Sequence, residues 1–167
     1  WAAPITLYTH ILSWEPGSAK IHNNLAMAYA DRGNLEKAIG LYKRAVELSD
    51  EFPQTHHNLA NAYLTLGDEE RALDEFTRAV ALDSSFHHSW ARIGVIHFKH
   101  GNLQAAADAF ERARHAYPYD VNTYLYLAQI RLAQGDSRAA RSVLESGLKV
   151  RPHDPALETA IKQLRTM

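Results

Sequence analysis

The sequence contains no cysteine, which excludes a disulfide framework and any thiolate metal site. It has no apolar run near the ~20 residues of a membrane span, so direct insertion of this segment into a bilayer is not expected. It has no excess of charge of either sign: the formal net charge is -1. Nonspecific nucleic-acid binding needs a basic surface, so that class is set aside. A Gly-rich phosphate loop, a Ser nucleophile elbow and a His-Glu-x-x-His metal motif are all missing. The chain is therefore expected not to be an enzyme and to hold no cofactor. An initial Met is missing too, and a fragment of a longer protein is expected.

What is present is a period. Gly33, Gly67, Gly101 and Gly135 are 34 residues apart. Ala38, Ala72, Ala106 and Ala140 keep the same interval, as do Leu25, Leu59, Ile93 and Leu127. Large side chains recur at Tyr42, Phe76, Phe110 and Leu144, and small ones at Ala26, Ala60, Gly94 and Ala128. A fixed interval of this size marks a repeat architecture, whose units bury their apolar faces by stacking. Asn34, Asp68, Asn102 and Asp136 directly follow the glycines. Glycine suits the left-handed residue that closes a helix, and Asn or Asp can accept from the free N–H groups that open the next. Each unit thus reads as two antiparallel helices. The first helices are predicted at roughly 19–32, 53–66, 87–100 and 121–134, and the second at roughly 35–49, 69–82, 103–116 and 137–150, with boundaries good to about ±2–4 residues.

These positions resemble the tetratricopeptide repeat family, whose pattern is Trp-x2-Leu-Gly-x2-Tyr, Ala-x3-Phe, Ala, Pro. In the second unit it falls on His56, Leu59, Ala60, Tyr63, Ala72, Phe76 and Ala79; in the third, on Trp90, Ile93, Gly94, Ala106, Phe110, Ala113 and Pro118; in the fourth, on Tyr124, Leu127, Ala128, Ala140, Leu144 and Pro152. The resemblance implies an all-α, right-handed α-solenoid with repeats at 19–52, 53–86, 87–120 and 121–154. Residues 155–167 carry Leu157, Ala160, Ile161 and Leu164 on one helical face and read as a C-terminal capping helix.

The N-terminus breaks the pattern. Tyr8 maps by the period onto Tyr42, and Leu12 onto Val46. Residues 1–18 therefore read as the second helix of a truncated repeat. Trp1, Leu7, Tyr8, Ile11 and Trp14 then lack part of their cover, so truncation or a homodimer contact through Trp1, Tyr8, Ile11 and Trp14 is expected. Residues 1–86 carry 7 Lys and Arg against 12 Asp and Glu, and residues 87–167 carry 11 against 7. This asymmetry offers an electrostatic route to head-to-tail self-assembly. A looser resemblance runs through Trp1, Leu7, Tyr8, Leu12, Pro16, His22, Asn24, His56 and Asn58. It is similar to the soluble tail of polytopic, glycosyltransferase-like membrane proteins. That resemblance implies an accessory, periplasmic domain; without such an attachment a cytoplasmic location is open.

The candidate site is a polar strip on the first helices. Lys20, Asn23, Asn24, Met27 and Asp31 share a face by spacing, followed by Gln54, His57, Asn58, Asn61 and Thr65. Later units supply His88, Arg92, Val95 and Lys99, then Asn122, Tyr126 and Gln129. In tetratricopeptide arrays this strip lines the concave groove. An amide both donates and accepts, so it can hold the main chain of an extended peptide without reading its sequence. The strip resembles a short form of the asparagine ladder in O-linked N-acetylglucosamine transferase repeats. Asn23, Asn24, Met27, His57, Asn58, Asn61, His88, Arg92 and Tyr126 are the expected groove residues. The alternative is that the asparagines bond one another. The carboxylate clamp that holds chaperone tails is not expected, because Asn23, Met27 and His88 depart from its pattern. The expected function is a protein–protein interaction module taking a peptide or a partner helix.

The ten His residues complete no ligand set with carboxylates, so no metal is expected. His56 holds the family's Trp position and is expected to pack between helices. Acidic pairs such as Asp74 and Glu75 read as solvated faces.

Overall fold

The computed structural model describes residues 3–164. The expected dimer contact at Trp1 lies outside the described residues. Among those residues the secondary structure is helical throughout, with no strand: α1 (Ala3–Trp14), α2 (Ala19–Ala30), α3 (Leu35–Leu48), α4 (Pro53–Thr65), α5 (Glu69–Leu82), α6 (His87–Lys99), α7 (Leu103–Ala116), α8 (Val121–Ala133), α9 (Ser137–Val150) and α10 (Pro155–Leu164). The chain divides into two compact units after Asp83.

The turns explain the helix ends. Gly67 adopts φ +81°, a left-handed conformation open to glycine without strain. There its N–H donates to Leu64 O at 3.0 Å while Asp68 N donates to Tyr63 O at 3.0 Å. This paired pattern consumes the last carbonyls of α4 and stops the helix before the glycine. The same pair of bonds recurs at Gly33, Gly101 and Gly135. On the far side of each turn, Asp68 accepts from Arg71 N, Asn34 from Lys37 N and Asp136 from Ala139 N. Asn102 differs: it makes no side-chain cap, and Leu103 N donates to Gly101 O instead.

In the first unit α2 packs on α3 and α4 on α5, α3 bridges to α4, and α1 lies against α2. Its core combines small and large residues: Ala26, Ala38, Ala60 and Ala72 are fully buried, and so are Tyr42, Tyr63 and Phe76 to within a few per cent. Packing at this density leaves no room for an extra methylene. In the second unit Phe110, Leu127 and Ile130 fill one cluster, and Tyr124, Leu144, Leu157 and Ile161 another. The second cluster seats α10 against α8 and α9. Gly94 is needed for close approach, since a Cβ there would sit 2.8 Å from the Phe110 ring.

On α1, Leu7 is 55% exposed and Trp14 78%. Tyr8 and Ile11 are half-buried.

Candidate peptide-binding groove

The α2–α4 face of the first unit brings together Asn23, Asn24, Met27, Asn58 and Asn61. It does so because both helices belong to the same repeat position and pack side by side. Two clefts flank Met27. One, of about 300 Å³, is lined by Met27, Ala30, Asp31, Gly33, Leu35, Tyr42, Asn58, Asn61, Ala62 and Thr65. The other, of about 420 Å³, is lined by Pro4, Ile5, Tyr8, Asn24, Met27, Ala28, Asp31 and Arg32.

The asparagines divide into two kinds. Asn58 Nδ2 donates to Asn23 Oδ1 at 3.1 Å, and Gln54 Nε2 donates to Asn58 Oδ1 at 2.8 Å. Asn23 Nδ2 in turn points to Asn24 Oδ1 at 3.4 Å and to the Met27 sulfur at 3.7 Å. Asn23 is buried, so this chain satisfies an amide that would otherwise be costly to bury. Asn24 and Asn61 stand differently. The Asn24 Nδ2 donor and the whole Asn61 side-chain amide form no hydrogen bond among the described residues, and both residues are half-buried and line a cleft. His57, on the same helix, rests its ring 5.3 Å from the Phe76 ring.

In the second unit the expected residues make separate contacts. His88 is exposed with its ring 3.9 Å from His87, whose pKa is lowered by burial and by the charge of His88. Arg92 is exposed and forms no ion pair among the described residues. Tyr126 is stacked 4.8 Å from Phe110 and meets Phe98 edge-on at 5.7 Å, so one face of its ring is committed to packing.

Sequence reasoning missed two groups. Asp31 lies on the predicted strip but its role in lining both clefts was visible only in the fold. Glu75 is not part of a solvated face: its side chain is 15% exposed and its Oε2 accepts from His56 Nδ1 at 2.6 Å. His56 itself is fully buried, with Nε2 2.8 Å from Asp50 Oδ1 in a geometry that misses a hydrogen bond's angle. Burial disfavours charge on this imidazole. The Glu75 hydrogen bond and charge, with Asp50, outweigh it and hold the pKa above the ordinary histidine value. No group of three His, Asp or Glu fit to hold a metal occurs among the described residues.

Helical hairpins repeated at this interval, with small residues under large ones and a polar face on the first helices, define a helical repeat protein of the interaction-scaffold type. Sequence models described as tetratricopeptide repeat match residues 17–85, 57–121 and 97–164, and the chain belongs to that family. Its fold is one typically used as a non-catalytic scaffold. The chain is similar to the crystal structure of MamA, at 21% identity and a TM-score of 0.79, covering 88% of this chain and 86% of that one. It is similar to YrrB, described as having an unusual peptide-binding site, at 17% identity and a TM-score of 0.74, with 95% and 81% covered. It also resembles the first repeat domain of Spaghetti (RPAP3) bound to the HSP90 peptide SRMEEVD, at 24% identity and a TM-score of 0.66, with 71% and 94% covered. No curated protein matches at a significant level. Neither the family matches nor these structures support the resemblance to a membrane glycosyltransferase tail. No helix among the described residues is long and apolar enough to cross a membrane.

Proposed function

We propose that the chain is a protein-interaction module whose first unit binds an extended peptide of a partner protein along the α2–α4 face. The peptide main chain is held by the side-chain amides of Asn24 and Asn61. The observation that carries this reading is the unused bonding capacity of those two amides, each at the edge of a cleft beside the exposed Met27. Asn23 and Asn58 support the surface by bonding each other. Met27 supplies an adaptable apolar contact. In the second unit, the exposed Arg92 offers a charge for a ligand carboxylate, and the half-buried Tyr126 an aromatic contact. Of the structures of the same fold described above, one holds a peptide and another is described as having a peptide-binding site.

The test is selection of short randomised peptides displayed against the full chain, with an Asn24→Ala, Asn61→Ala double variant beside it. Enriched peptides are expected to lose about tenfold in affinity on the variant, as two lost hydrogen bonds imply. Peptides that bind both proteins equally, or no enrichment at all, contradict the groove.

A second reading rests on α1. The exposure of Leu7 and Trp14 favours self-association through that helix. It predicts a mass that rises with concentration and falls back to the monomer in Trp14→Glu. A monomer at every concentration removes it.

A further inference from the structure

We propose that the first unit selects a peptide carrying lysine or arginine, with the cationic head at the Asp31 carboxylate and the methylene stem along Met27. This rests on reading the α2–α4 face as a peptide groove, and it names the ligand chemistry of that groove.

Asp31 closes α2 and lines both clefts, so it sits where they meet. It is exposed, and its carboxylate makes no ion pair or hydrogen bond among the described residues. In the cleft shared with α4 it is the one charged lining residue; the polar remainder is Asn58, Asn61, Thr65 and the Tyr42 hydroxyl. Tyr42 does not neutralise it. The phenol pKa is pushed up to about 12 by burial and by the Asp31 charge, so the group stays a neutral hydroxyl. The wider field has the same sign, since residues 1–86 carry 7 cationic against 12 anionic side chains. A ligand carboxylate entering the cleft shared with α4 meets like charge, and a cation meets an unpaired anion there; Arg32 lines the other cleft and not this one.

The apolar lining sets the form of that cation. Met27, 42% exposed, lies beside Asp31 in both clefts, with Ala30 and Leu35 in one and Tyr8 and Ile5 in the other. A charged head on a long aliphatic stem covers such a surface while its charge stays at the rim. A divalent ion does not fit, because a single carboxylate supplies too few hard oxygen ligands. Asn24 and Asn61 flank Asp31 and remain for the peptide main chain on either side of the basic residue.

The same displayed peptide selection tests this, run against wild type, Asp31→Asn and Asp31→Lys. Lysine or arginine is expected at one position of the peptides enriched on wild type. That preference is lost on Asp31→Asn and replaced by aspartate or glutamate on Asp31→Lys. A selected peptide is expected to bind Asp31→Asn about three- to tenfold more weakly, as suits an exposed ion pair, and to weaken as salt is raised. Peptides that depend on Asn24 and Asn61 but show no basic position overturn this inference and leave the groove standing. Basic peptides that bind Asp31→Asn as well as wild type overturn it too, since the acidic surface alone then explains them. Peptides indifferent to Asn24 and Asn61 overturn the groove reading itself.

Discussion

Asn58 donates from α4 to Asn23 on α2 across 3.1 Å, tying two successive first helices by their side chains. The bond commits Asn58 and Asn23 to each other, while the Asn24 Nδ2 donor and the Asn61 side-chain amide have no hydrogen-bond partner among the described residues. It also separates two roles that residue type alone does not distinguish.

That separation is measurable as stability. Asn58→Ala leaves the Oδ1 of buried Asn23 without its donor and is expected to cost about 1–2 kcal/mol. Asn61→Ala breaks no side-chain hydrogen bond and is expected to stay within about 0.5 kcal/mol of wild type. Urea denaturation of the full chain followed by circular dichroism checks both. Equal losses would contradict the division into supporting and binding amides.

His56 gives the first unit a pH dependence. It is held between Glu75 on α5 and Asp50 after α3, and Arg78 lies 4.0 Å from Glu75. The folded pKa is raised, so the folded state binds the proton more tightly than the unfolded chain. The stabilisation is complete below the unfolded value of about 6.5 and is lost as pH rises through the folded pKa. The denaturation midpoint is expected to fall across that window in wild type and to stay flatter in His56→Gln. An NMR titration placing the His56 midpoint at or below the ordinary value would contradict it.

Two glycines should respond in opposite directions to the same change. Gly94→Ala drives a methyl to 2.8 Å from the Phe110 ring, and overpacking of this kind costs about 1–3 kcal/mol. Gly40, exposed within α3, has nothing within 4 Å of a built Cβ. Gly40→Ala is expected to stabilise by about 0.5–1 kcal/mol through helix propensity. Thermal midpoints of the two variants check the signs.

The helices were legible because their signals are local and recur. Glycine followed by Asn or Asp closes one helix and opens the next at Gly33, Gly67 and Gly135. The Ala60–Phe76 alternation of small and large is likewise carried by the period. Pairings across helices were not legible. Repeat arithmetic aligns Asn24 with Asn58, yet the bond runs from Asn58 to Asn23, because the offset between packed helices is not part of the interval. Glu75 looked solvated because its partner, His56, lies on the facing helix and no spacing rule joins them. Asp31 belonged to the strip by spacing, but whether its carboxylate was paired depended on the neighbours that the fold supplied.

The most direct test of the groove is an NMR spectrum of the side-chain amides of the full chain, recorded with and without a peptide selected against it. The account predicts that the Asn24 and Asn61 NH2 signals shift most on binding. Shifts confined to α1, or to α3 and α5 while those two signals stay in place, would contradict it.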